Sequence, residues 1–151
     1  MFTIRDTTDA DSSSIAGLMS ELGYPTTESD MRARLTGIEA DTNYRTFVAQ
    51  VAATVVGMVG VGLAPYYERN GTYGRILVLA VSEAHRRNGL GRALVKAAEA
   101  WAASRGATTM VVNTGHHRKN AHQFYDVIGY RSTGLRFVKE LRAQTAESSL
   151  T

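Results

Sequence analysis

The segment Arg86-Arg87-Asn88-Gly89-Leu90-Gly91 constrains this chain most, because it lies between an apolar run, Ile76 to Val81, and an amphipathic stretch, Leu90 to Ser104. That context reads as strand, basic glycine loop, helix. Glycines without a Cβ let backbone N–H groups close around phosphate oxygens, the helix N-terminus adds partial positive charge, and the arginines add full charges. The loop suits a polyphosphate. A dinucleotide fingerprint fits less well: Gly89 and Gly91 match its first two glycines, but Leu94 stands at the third, and no acidic residue occurs at the expected distance beyond. Arg86 and Arg87 on the approach favour a ligand with a 3′-phosphate as well as a pyrophosphate.

Charge placement agrees. From Ala84 to Lys119, seven arginines and lysines face the single Glu99, whereas from Glu21 to Asp41 five acids face Arg32 and Arg34. A basic half fits a phosphate-rich cofactor, and an acidic half can attract a cationic acceptor, although solvated helix faces carry such acids too. A nucleic-acid partner is not expected, since the basic residues cluster around the glycine loop with no recognition motif.

The elements follow from periodicity. Phe2 to Arg5 is a first strand, and Thr8 with Asp11 three residues on opens a helix through Leu22, with Ile15, Leu18, Met19 and Leu22 as its stripe. Gly23-Tyr24-Pro25 ends it. A second helix follows from Thr27 to Ile38, then strands at Tyr44–Val51 and Val55–Leu63. A turn with Asn70-Gly71 leads to a strand over Tyr73–Val81. Leu90, Leu94, Ala98 and Trp101 form one face of the helix after the loop, with Trp101 expected in the core and Gly106 as C-terminal cap. Thr108–Asn113 is the next strand, Asn120–Ile128 a short helix closed by Gly129, and Tyr130–Leu141 the last strand. The fold class is α+β with a mixed, mostly antiparallel sheet. With 151 residues, 44% of them hydrophobic, one domain over residues 1–142 and a frayed tail at 143–151 are expected.

There is no cysteine, which removes disulfides, thiolate zinc sites and a cysteine nucleophile. No metal site is expected. The N-terminus lacks a signal-peptide pattern and no apolar run approaches a membrane span, so the expected location is the cytoplasm, with no membrane partner.

Arg-x-x-Gly-x-Gly after a strand ending Leu79-Ala80-Val81 resembles the acetyl-coenzyme A signature of the GNAT superfamily of N-acetyltransferases. Asn120-Ala121-His122-Gln123-Phe124-Tyr125, followed by Ile128-Gly129-Tyr130, resembles that family's late helix. The resemblance spans roughly Thr3 to Leu141, with its specific residues in the second half. It implies a three-layer α/β/α fold whose sheet splays at the cofactor site, between the strands carrying Ile76–Val81 and Thr108–Asn113. It implies acetyl-CoA as cosubstrate, with the pantetheine arm along the backbone of Leu79, Ala80 and Val81. The phosphates would lie on Arg86, Arg87, Asn88, Gly89, Leu90, Gly91 and Arg92, with Asn120 a further cofactor contact. Tyr125 is then the general acid, since a phenol with an ordinary pKa near 10 is protonated at neutral pH and can serve a departing thiolate. Without the resemblance, Tyr125 with Ala121, Phe124 and Ile128 reads equally as an apolar helix face.

Many relatives place a carboxylate on the strand before the glycine loop, and Tyr73–Val81 contains none. His116, His117, Glu68 or a water chain then stands in as base, with His122 a weaker candidate. The expected activity is direct acetyl transfer to a primary amine of a small cationic molecule, such as an aminoglycoside, polyamine or basic amino compound. Tyr24, Tyr66, Tyr67 and Tyr73 are candidates for the acceptor entrance. Protein or peptide N-acetylation and a non-catalytic acyl-CoA-binding module remain open as alternatives. Family members often pair through their C-terminal strands, an option for a homodimer through Arg131–Leu141.

Overall fold

The computed structural model describes residues 1–113 and 119–141, which fall into two units, Met1–Val112 and the part from Asn113 onward. The tail expected at 143–151 lies outside the described residues.

The first unit holds one five-stranded sheet in sequence order: β1 (Thr3–Asp6), β2 (Tyr44–Val51), β3 (Thr54–Pro65), β4 (Thr72–Val81) and β5 (Ala107–Val112). The first four are antiparallel and β4 with β5 is parallel. The α+β reading with a mixed, mostly antiparallel sheet holds. Helices α1 (Ser12–Glu21) and α2 (Glu28–Glu39) cover one face, and α3 (Leu90–Ser104) covers the other.

The layers follow from alternation along the strands. Val48, Met58 and Ala80 pair across β2, β3 and β4 and send their side chains into a cluster with Ile15, Leu18, Met31 and Leu35. On the opposite face, Leu94 and Ala98 of α3 are fully buried. Each such aliphatic side chain contributes about 1.5–3 kcal/mol when removed from water. Two glycines let α3 approach: a Cβ on Gly57 would meet Leu94 at 3.1 Å, and one on Gly74 would meet Ala102 at 2.9 Å and the Met110 sulfur at 2.5 Å. Trp101, expected in the core, is only half-buried. Near the end of α3, the Arg105 guanidinium lies over its ring, 5.4 Å from the centroid.

The first helix opens with a 3-10 turn at Asp9–Asp11. Asp11, 5% exposed, accepts from the Thr8 N–H at 2.8 Å and takes two bonds of 2.9 Å from the Arg5 guanidinium. At the other helix, Thr27 caps α2 by accepting from the Asp30 N–H at 3.1 Å. Hydrogen bonding by Arg5 holds the Asp11 carboxyl below its ordinary range against the opposing effect of burial. Arg45 does the same for Asp6.

The second unit contributes α4 (Lys119–Val127), closed as expected at Gly129, where the Tyr130 N–H donates to Tyr125 O at 2.9 Å and the Gly129 N–H to Asp126 O at 3.1 Å. The strand expected over Tyr130–Leu141 is absent: residues 130–140 pair with no described strand. Their apolar residues Leu135, Phe137 and Val138 are exposed. Alternating apolar residues make a segment fit for a sheet, but a strand forms only where a neighbour meets its N–H and C=O groups.

Two outcomes test this packing. Gly74→Ala forces a methyl group against Ala102 and Met110 and is expected to destabilise the fold by about 1–3 kcal/mol in urea titration; an unchanged midpoint would contradict the close helix approach. The depressed Asp11 and Asp6 carboxyls contribute stability that is complete above the ordinary aspartate pKa of about 4 and is lost as pH falls through their lower folded values. Asp11→Asn is therefore expected to lower stability by about 1–3 kcal/mol at pH 7 and to flatten the acid-side decline, and a wild-type decline retained in full would contradict it.

Candidate functional site

Two irregularities of β4 build the site. Val61 pairs with Ile76 and Gly60 with Val78, so Leu77 is an extra residue, a β-bulge in the middle of the strand. The parallel pairing with β5 ends one residue earlier, at Ile76 opposite Val112. Over residues 77–81, β4 keeps β3 on one side and has no strand on the other among the described residues. The sheet splays where the sequence placed Leu79, Ala80 and Val81. The Ala80 side chain is spent on the α1–α2 core, so what this stretch offers on its open side is backbone. An extended ligand can add there as a strand would.

The turn after β4 is tightly held. The Ser82 N–H donates to Val56 O at 2.8 Å, and the Glu83 N–H donates to the Glu21 carboxylate at the end of α1 at 3.1 Å. Ser82 Oγ lies 3.2 Å from His85 Nδ1. Arg86 Nε reaches back to Val81 O at 3.0 Å, which fixes this guanidinium beside the last residue of the splayed strand. Arg87, Asn88 and Gly89 are exposed. Arg87 has φ +67° and Gly89 φ +84°, so the chain enters α3 through two left-handed residues; only glycine adopts that conformation without steric cost.

Gly89 is the N-cap of α3 and has no side chain to satisfy the first N–H groups, those of Leu90, Gly91 and Arg92. The first turn of α3 also lacks any acidic residue, whereas α2 carries Glu28 and Asp30 there. The dipole at the start of α3 is thus left without an internal counter-charge, next to Arg86, Arg87 and Arg92. The buried Leu90 anchors the turn. A Cβ built on Gly89 would meet nothing within 4 Å among the described residues, so the loop is uncrowded at the N-cap itself. The residues present fit a pyrophosphate.

The structure therefore brings together Leu79, Ala80, Val81 and residues 86–92. Asn120 and Tyr125 belong to α4 in the second unit. Asn120 is exposed in its first turn. Tyr125 is 8% exposed, and its ring packs edge-on against Phe124 at 5.0 Å and Tyr130 at 5.5 Å. Of the alternative bases, His116 and His117 lie outside the described residues, and Glu68 sits in the hairpin before Thr72, at the opposite end of β4 from the glycine loop. Tyr66 and Tyr67 share that hairpin, and Tyr66 stacks on Tyr73 at 5.2 Å and under Arg69 at 4.2 Å, so of the four tyrosines expected at the entrance only Tyr24 is in the α1–α2 link. The acids of the 21–41 segment are largely engaged nearby: Glu21 holds the Glu83 N–H, Glu28 pairs with Arg32 at 2.8 Å, and Asp41 accepts from the Asn43 N–H. Among the described residues no His, Asp and Glu cluster could hold a metal ion, and no helix is long and apolar enough to cross a membrane.

Sequence reasoning missed Glu21, Ser82 and His85 as supports of the loop. The Glu21–Glu83 bond joins residues 62 apart, which no local pattern marks.

The model of the acetyltransferase (GNAT) family matches residues 14–130. An aminoalkylphosphonate N-acetyltransferase of Salmonella typhimurium strain LT2 is 30% identical over 141 residues, covering 91% of this chain and 90% of the relative. A GNAT family acetyltransferase from Staphylococcus aureus superposes with a TM-score of 0.80 at 25% identity, covering 93% of this chain and 98% of that one. The aminoglycoside N-acetyltransferase AAC(6')-Iy in complex with CoA has the same fold at a TM-score of 0.83 and 17% identity, covering 95% and 96%. With the splayed strand and the loop's geometry, these matches establish that the chain belongs to the GNAT family and is an acyltransferase.

Proposed function

We propose that this enzyme transfers the acetyl group of acetyl-CoA directly to the primary amine of a small molecule in the cytoplasm. The observation that carries the reading is the succession of residues 77–81 of β4, unpaired on the β5 side among the described residues, and the uncapped, acid-free start of α3. A pantetheine arm is an amide-bearing extended chain and suits the first, and a pyrophosphate suits the second. Acetyl-CoA supplies the thioester. The chain's own residues do the rest. N–H groups from Arg87 to Arg92 hold phosphate oxygens, with Arg86 and Arg87 as charged partners, and Asn120 gives a further contact. A backbone N–H near Leu79 or Ala80 polarises the acyl oxygen, and Tyr125 supplies a proton to the departing sulfur. A water chain or a histidine takes the amine's proton, since β4 carries no carboxylate. A small-molecule acceptor is supported by the relative whose name gives aminoalkylphosphonates as its acceptors. The cationic character expected of the acceptor is then that of its ammonium group, because most acids of the 21–41 segment have partners of their own.

Two variants test the assignment. Gly89→Ala is expected to weaken acetyl-CoA binding about tenfold or more in calorimetric titration, through backbone strain and a methyl group at the N-cap; unchanged affinity would remove the phosphate-loop assignment. Tyr125→Phe is expected to lower turnover by roughly a hundredfold with acetyl-CoA affinity nearly unchanged. Full turnover would make Tyr125 a packing residue within its aromatic trio.

A further inference from the structure

The sheet face toward α1 and α2 is covered only in part. Those helices close over the row Val48–Met58–Ala80. Another row lies beyond them: Tyr44 pairs with Gly62, Gly62 with Arg75, and Arg75 with Val111, which places all four on one face, and α1 and α2 do not cover it. The neighbour Gly74 faces α3, as its contact with Ala102 requires, so the Arg75 side chain points the other way, into the uncovered region. Leu77, the bulge residue, is 52% exposed on the same side. A Cβ on Gly62 would meet the Tyr44 ring at 2.7 Å and a Leu77 methyl at 3.5 Å, so ring and methyl group share the hollow over Gly62.

Arg75 is exposed and, among the described residues, makes no hydrogen bond or ion pair. Arg5, Arg32 and Arg45 each hold a carboxylate, and Arg86 and Arg105 each hold a backbone carbonyl. A strand advances about 3.3 Å per residue, so the Arg75 Cα stands roughly 13–16 Å along β4 from the backbone of Leu79 and Ala80, a distance its long side chain and a small amine would span together. A fork of N–H donors is thus offered on the strand that carries that backbone, with Tyr44 and Leu77 as apolar surface beside it.

We propose that Arg75 binds an anionic group on the acceptor, and that the acceptor is a small zwitterion: a primary amine joined by a short alkyl chain to a carboxylate or a phosphonate. This rests on the acetyltransferase reading above and names its acceptor class. Because Arg75 is solvent-exposed, the expected selectivity is about tenfold and not several hundredfold, since water competes for the guanidinium.

The test compares kcat/KM for 2-aminoethylphosphonate, β-alanine and propylamine, which carry the same two-carbon chain ending in a phosphonate, a carboxylate or a methyl group. At least one anionic amine is expected to exceed propylamine about tenfold, and the better of the two identifies the anion. Arg75→Gln should reduce that ratio about tenfold, mainly through KM, and Arg75→Lys should restore part of it. Calorimetric titration of 2-aminoethylphosphonate and β-alanine into the CoA-saturated protein should show the same dependence on Arg75. A ratio unchanged in Arg75→Gln, or spermidine preferred over both anionic amines, overturns the Arg75 assignment and leaves acetyl transfer standing. Failure to acetylate any amine overturns the function on which it rests.

Discussion

The parting of β4 from β5 after Ile76 is the constraint on which the rest of this site depends. A β-strand buried in a sheet has its hydrogen-bonding groups satisfied on both sides and can offer a ligand nothing. Here the extra residue Leu77 interrupts the β3–β4 register at the point where parallel pairing with β5 ends. The strand stays anchored by β3 on one side and by the Ala80 side chain beneath α1 and α2, while on the other side residues 77–81 pair with no strand among the described residues. Rigidity and availability are thus supplied by different neighbours. On the proposed function, this is why residues as plain as Leu79 and Val81 would serve a cofactor through their backbone.

The same strand delivers the chain to the phosphate loop, and the loop's supports come from both layers. Arg86 is tied to Val81, the Ser82 N–H to β3, and the Glu83 N–H to the end of α1 through Glu21. Left-handed backbone at Arg87 and Gly89 then turns the chain into α3, whose first turn has neither a side-chain cap nor an acidic residue. An anionic ligand would supply what the first turn of α3 omits, a negative charge next to the helix dipole. The gain from that complement is paired with loss of the strain-free alternatives, since only glycine serves at position 89.

What was legible in the sequence was what is local. The start of α3 at Leu90, its end at Ser104, and the Gly129 cap are written in contiguous residues. The splay was reachable only through resemblance, because whether a strand keeps its neighbour is decided by a partner distant in sequence. The row from Tyr44 to Arg75 to Val111 was illegible for the same reason: its members come from four strands, and Arg75 alone reads as one more charge on a half-buried strand. The expected strand over Tyr130–Leu141 shows the converse case, in which an apolar-bearing segment meets no strand partner among the described residues. The acidic stretch from Glu21 to Asp41 is legible as net charge only; the partners that Glu21, Glu28 and Asp41 hold could not be read from it.

Release of free thiol from acetyl-CoA, followed with and without pooled small primary amines, tests the central claim most directly. The account predicts release that depends on an amine and yields the matching N-acetyl product. Saturable acetyl-CoA binding with no amine-dependent release from any pool would contradict it and mark a domain that holds the cofactor without turning it over.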